Sequence, residues 1–168
     1  CQIQLNYLDT EYQAGLKGLQ AAYDKGISVV IMEPLKGGKL SYVPKDIQEV
    51  FANAETKQTP SAWAFSYLWD RPEVSVVLSG MSTMEQVKEN IETASRAGVG
   101  HFSQVEKDRI EEAKTIYKAR VQVGCTSCEY CMPCPVGVNI PGNFELFNNA
   151  FVYELKEENQ ERYKKFQE

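Results

Sequence analysis

The chain has 168 residues, 43% of them hydrophobic and 24% charged, the ordinary balance of a soluble globular protein. A formal net charge of −5 gives no basic footprint for nucleic acid, and no apolar run approaches the length of a membrane span. Five cysteines in this length are too few for a secreted disulfide scaffold. With no targeting segment at its head, the sequence points to the cytoplasm.

The chain opens at Cys1 and reads as a strand at once, as a piece of something longer would. Ile3, Leu5 and Tyr7 alternate with Gln2, Gln4 and Asn6, the period of a strand. Leu16, Leu19, Ala22 and Tyr23 recur at helical spacing until Gly26 stops them. Residues 27–32 are a β-branched apolar run of the kind buried in parallel sheets, ending in Glu33-Pro34-Leu35-Lys36-Gly37-Gly38. The glycines of that loop allow a close backbone approach to a ligand. A short helix is expected over 44–54, and another opens with Thr59 as N-cap and Pro60 in its first position. Trp63 and Trp69 in this second helix read as core packing.

Residues 74–80 supply a third strand, and Ser82 and Glu85 stand at capping-box spacing before a helix that runs to Ala97. Val87, Ile91 and Ala94 are the expected apolar side of that helix. Strand–helix repeated three times is the grammar of a parallel sheet, and three strands alone leave edges unpaired. A further helix is expected over 103–120, acidic at its start and basic at its end, as the helix dipole favours. Residues 138–147 lead into another helix, and the charged stretch 154–168 reads as a solvated terminal helix. There is no internal repeat. The domain boundaries expected are 1–100 for the β/α part, 101–124 for a connecting helix and 125–168 for the cysteine-rich end.

That end carries Cys125, Cys128, Cys131 and Cys134 at an even spacing of three, with Pro135 directly after. Thiolates are soft ligands, and several from one short loop suit an iron–sulfur cluster or zinc. The bacterial ferredoxin run opens with the same spacing and has one extra residue before its final Cys-Pro. A [4Fe–4S] cluster is therefore the first expectation. Zinc ribbons more often split their cysteines into two distant pairs.

The three strand ends carry a further pattern. Gln2-Ile3-Gln4, then Met32 to Leu35, then Ser79 to Thr83 with Glu85-Gln86 and Glu89-Asn90, resemble the last three βα units of an aldo/keto reductase. The cysteine run with Pro135 and Ile140-Pro141 resembles the C-terminal iron–sulfur extension of one branch of that family. The resemblance implies an α/β chain: the C-terminal portion of a (β/α)8 TIM barrel, about three βα units, followed by a helical cysteine-rich extension. In such barrels ligands bind at the C-terminal ends of the strands.

By the resemblance, Gln2 would hold the carboxamide of a nicotinamide cofactor, NADP or NAD, and Met32 would lie where an aromatic ring usually stacks. Leu35 and Gly37 would offer backbone groups to the pyrophosphate, Ser82 and Thr83 would bind the adenosine phosphate, and Glu89 and Asn90 would contact the adenine. Gly80 and Gln86 stand where NADP-preferring members often carry a basic residue. The family's tyrosine, lysine, aspartate and histidine tetrad belongs to the first half of the barrel. His101, the sole histidine, matches none of those positions and reads as a helix cap or surface residue. No catalytic residue is assigned in this chain, so the fragment alone is expected to be inactive. The intact protein would act on a small carbonyl or alcohol substrate, with an electron-transfer partner for the cluster, and the fragment could pair as a homodimer through its open edges.

Overall fold

The computed structural model describes residues 1–165. Its elements follow the order β1 (Gln2–Gln4), α1 (Gly15–Tyr23), β2 (Val29–Met32), α2 (Lys45–Ala52), α3 (Pro60–Trp69), β3 (Val74–Val77), α4 (Met84–Arg96), α5 (Gln104–Ala119), α6 (Ile140–Val152) and α7 (Lys156–Lys165). The chain divides into two compact units, one over 1–114 and one from 115 onward.

The first unit is an α/β unit. Its described strands form one parallel sheet in the order β1-β2-β3, with α1 crossing between the first pair and α2 and α3 between the second. Gln2 stands opposite Val30, and Gln4 opposite Met32. Val29 and Val30 bracket an irregularity in the pairing with β3, after which Val30 faces Val76. Strand side chains alternate between faces. Val29 and Ile31 point to the covered side and are fully buried, whereas Met32 and Val76 are exposed. The sheet therefore has one packed face and one open face.

The packed side is built on Trp63, fully buried in α3, which stacks on Phe51 of α2 at 5.0 Å and meets Phe102 edge-on at 5.5 Å. Helix α3 is buried nearly all round, because it packs on both β3 and α4. Thr59 caps it as expected, its Oγ1 accepting from the Ala62 N–H at 3.1 Å, with Pro60 in the first turn.

Two expectations are corrected in α4. Its N-cap is Thr83, not Ser82, and the reciprocal partner is Gln86, not Glu85. Its expected apolar side is turned outward: Ile91 and Ala94 are exposed, and the buried residue is Thr93. The reason lies in the partner helix. Glu89 accepts a hydrogen bond from the Thr59 hydroxyl, which directs the Glu89–Thr93 side of α4 against α3. Strands β2 and β3 are also shorter than the apolar runs that announce them, leaving Ile27 and Leu78 exposed beyond the strand ends.

In the second unit, α6 and α7 pack on one another. Asn139 caps α6 by accepting from the Gly142 N–H at 3.0 Å. A Cβ at Gly142 would lie 2.7 Å from the Asn139 side chain, so a larger residue there would have to shift the cap. Phe144, Phe147 and Phe151 leave an apolar stripe exposed along α6. Helix α7 is charged, with Asn159 its buried residue, and residues 166–168 of the expected terminal helix lie outside the described residues. Among the described residues no helix is long and apolar enough to cross a membrane.

Candidate functional site

The open sheet face carries the first two residues singled out from the sequence. Gln2 starts β1 and Met32 ends β2, yet the Gln2 Nε2 donates to Met32 Sδ at 3.3 Å. Thioether sulfur is a weak acceptor, so this amide is free to exchange it for a better one. Gln4, two residues further along β1 and so on the same face, reaches Asp9 at 3.4 Å.

Beyond the strand ends lies a polar network that the sequence reading did not single out. Asn6 is fully buried and uses its whole amide. Its Oδ1 accepts from the Leu8 and Asp9 backbone N–H groups at 3.0 and 2.9 Å, and its Nδ2 donates to Asp9 Oδ2 and the Glu33 carbonyl, both at 3.1 Å. Lys36 Nζ closes the network on Asp9 Oδ2 at 2.5 Å. Asn6 thus joins the loop after β1 to the loop after β2. That second loop is wound left-handed at Glu33 (φ 55°), Lys36 (φ 50°) and Gly37 (φ 62°). A left-handed conformation is unfavourable for non-glycine residues, and the bond from Asn6 to the Glu33 carbonyl holds it. Leu35 is half-buried, its carbonyl taken by the Leu40 N–H at 3.1 Å, and Gly37 is exposed. The sequence signal was an asparagine three residues before an aspartate, the spacing of a side-chain-capped turn.

At the third strand end, Ser82 and Thr83 are exposed, but their amides are occupied. Gln86 Oε1 accepts from the Ser82 and Thr83 N–H groups at 2.8 and 3.2 Å. An anion at this helix start would compete with the neutral amide oxygen of Gln86. Glu89 and Asn90 are half-buried and engaged within the unit, Glu89 with Thr59 and Asn90 with Ser79 Oγ at 3.0 Å. His101 is exposed, with Nδ1 at 3.3 Å from the Arg96 carbonyl oxygen.

The four cysteines of the second unit lie between α5 and α6 in free form, Cys125, Cys128 and Cys131 exposed and Cys134 half-buried. The loop turns backbone N–H groups onto sulfur. The Ser127 N–H donates to Cys125 Sγ at 3.4 Å, and the Tyr130 N–H does the same for Cys128. That second bond, with the Thr126 side chain, holds the Cys128 thiol below its ordinary range. Amide donors favour thiolate, the form that binds soft metals. The donor set therefore fits a soft metal or cluster in its chemistry. The sulfurs are not gathered: among the described residues no three histidine, cysteine, aspartate or glutamate side chains converge as a metal-holding group.

No family model matches the chain, and no curated protein does. Among solved structures it is similar to aldo-keto reductase AKR11C1 from Bacillus halodurans, in both its holo and apo forms. Each is 21% identical, with a TM-score of 0.51, and the match covers 66% of this chain. The chain spans 41% of the length of those proteins. Over the matched residues, the parallel sheet and its crossing helices have the fold of part of an aldo-keto reductase.

Proposed function

We propose that this chain is the C-terminal part of an aldo/keto reductase-like oxidoreductase whose intact form passes hydride between a nicotinamide dinucleotide and a small carbonyl or alcohol. The observation that carries this reading is the open face of the parallel sheet, with Gln2 and Met32 in contact on it, in a fold shared with part of a known reductase. The bound dinucleotide would supply the hydride. Gln2 would release Met32 and pair with the carboxamide. Leu35 and Gly37 would present backbone groups to the pyrophosphate from a loop that Asn6 holds in place. Ser82 and Thr83 would offer their amides once Gln86 withdraws, and Glu89 and Asn90 would border the adenine. With Gly80 and Gln86 in place of a basic residue, NAD competes with NADP as the cofactor. Proton transfer is assigned to no residue of this chain.

Cys125, Cys128, Cys131 and Cys134 would hold a [4Fe–4S] cluster, which supplies one-electron exchange with a partner protein when bound. Because the thiols are not gathered, binding would be coupled to closure of the loop on the metal. Cytoplasmic location follows from the oxidation sensitivity of such a centre.

Titration of NADPH and NADH against the protein carrying the whole barrel tests the reductase reading. Saturable binding is expected, weakened at least tenfold, or by about 1.4 kcal/mol, in Ser82→Asp and Thr83→Asp variants. Absence of binding overturns it. Metal and sulfide analysis of anaerobically purified chain tests the cluster separately. About four irons and four sulfides per chain are expected, whereas one zinc would replace the cluster by a structural site.

A further inference from the structure

One side chain of α6 is committed to the entrance of the thiol loop. Asn148, half-buried, accepts on Oδ1 from the Gln122 and Val123 N–H groups at 3.0 and 2.9 Å and donates from Nδ2 to the Val123 carbonyl at 2.8 Å. This is a two-way clamp on one peptide segment, two residues before Cys125. The exit of the same loop is fixed at the start of α6, where Asn139 caps the helix and Asn143 Nδ2 donates to the Asn139 carbonyl at 2.8 Å. Between these roots the backbone bonds are short-range turns: Cys125 to Val123, Met132 to Glu129, and Gly137 to Cys134. Ser127 and Glu129, on either side of Cys128, are left-handed at φ 53° and 57°.

We propose that Asn148 is the positioning residue of the thiol loop: it anchors the entrance to α6, so that both ends of the cysteine run are fixed before a metal binds. This rests on the reading of the four cysteines as metal ligands. The physical reason is entropic. A loop with free ends must lose their freedom when its ligands converge, and a loop with fixed ends has already lost it. Asn148 touches neither the ligands nor the metal, and acts through Gln122 and Val123. Outer partners that orient metal ligands typically contribute about 10- to 100-fold to metal affinity.

The test is anaerobic titration of the full chain with cobalt(II) alone, read by the sulfur-to-cobalt charge-transfer absorption, which reports thiolates on the metal and not helix stability. Wild type is expected to develop the band. Asn148→Ala should bind about 10- to 100-fold more weakly, Asn148→Asp, which keeps both acceptor bonds but sets a carboxylate oxygen against the Val123 carbonyl, should fall between the alanine variant and wild type, and Glu145→Ala, on an exposed position of the same helix, should match wild type. Equal binding by wild type and Asn148→Ala overturns the positioning role and leaves the ligand reading intact. A wild-type chain with no band overturns the ligand reading and the positioning role with it. If Asn148→Ala loses helical circular dichroism, Asn148→Asp decides, and binding by it as weak as by the alanine variant overturns the proposal.

Discussion

Two asparagines do similar work in the two units. Asn6 spends its whole amide joining two strand-end loops, and Asn148 spends most of its amide on one loop entrance. An amide carries two donor and two acceptor positions, so a single side chain can bind two backbone segments that a carboxylate, which only accepts, could only half satisfy. The cysteines show the complementary case, in which backbone amides act on side chains. With the Tyr130 N–H directed at its sulfur, Cys128 ionises at lower pH than a free cysteine. Since thiolate is the nucleophile, its alkylation rate in the metal-free chain should rise as pH increases through that lowered value. Mass-spectrometric mapping of iodoacetamide labelling should place the midpoint for Cys128 below that of an ordinary cysteine. A midpoint at or above that value would show that the bond does not hold in solution.

At the scale of elements, caps and partner helices decide what apolar periodicity leaves open. Thr59 serves α3 as N-cap and also reaches Glu89 of α4, so one hydroxyl ends one helix and orients another. Thr59→Ala should cost about 1 kcal/mol, the usual loss for an N-cap. It should appear as a lower urea midpoint at unchanged slope, with Thr59→Ser close to wild type. No change in midpoint would mean that water replaces both bonds. The same contact explains why Ile91 faces outward: a polar face can be the packed face when its groups find partners across the interface. Just before α4 the amides of Ser82 and Thr83 are already satisfied by Gln86. Any phosphate there would be bound by exchange.

For the molecule as a whole, the described sheet has two unpaired edges, at β1 and β3, and one uncovered face. Unpaired strand edges are templates for pairing with another chain. The isolated chain should therefore self-associate as its concentration rises. Val76→Lys, which places a charge on the exposed side of β3, should raise the concentration needed on the order of tenfold, equivalent to about 1.4 kcal/mol. Sedimentation velocity across a dilution series reads this directly. A wild-type chain that stays monomeric throughout would show that the edges are protected by other means.

The sequence by itself determined the local elements and their class. The opening alternation, of which residues 2–4 are the strand, the β-branched run at 27–32, of which residues 29–32 are the strand, Thr59-Pro60 and the charge order of α5 each encode their structure in neighbouring residues. The strand-end pattern likewise led to the fold shared with part of a reductase. Tertiary structure alone decided which side of α4 is buried, and that Lys36 and the Glu33 carbonyl meet the turn made by Asn6 and Asp9. It also decided that Gln2 reaches Met32, although the two are separated by a helix in the chain. The physical reason is the same throughout. Propensity and periodicity act within a few residues, whereas hydrogen bonds between distant segments exist only after packing has brought their backbones together. The cysteine spacing lies between these cases. It declares the donor chemistry, and the fold shows the roots of the loop secured while the sulfurs stay apart.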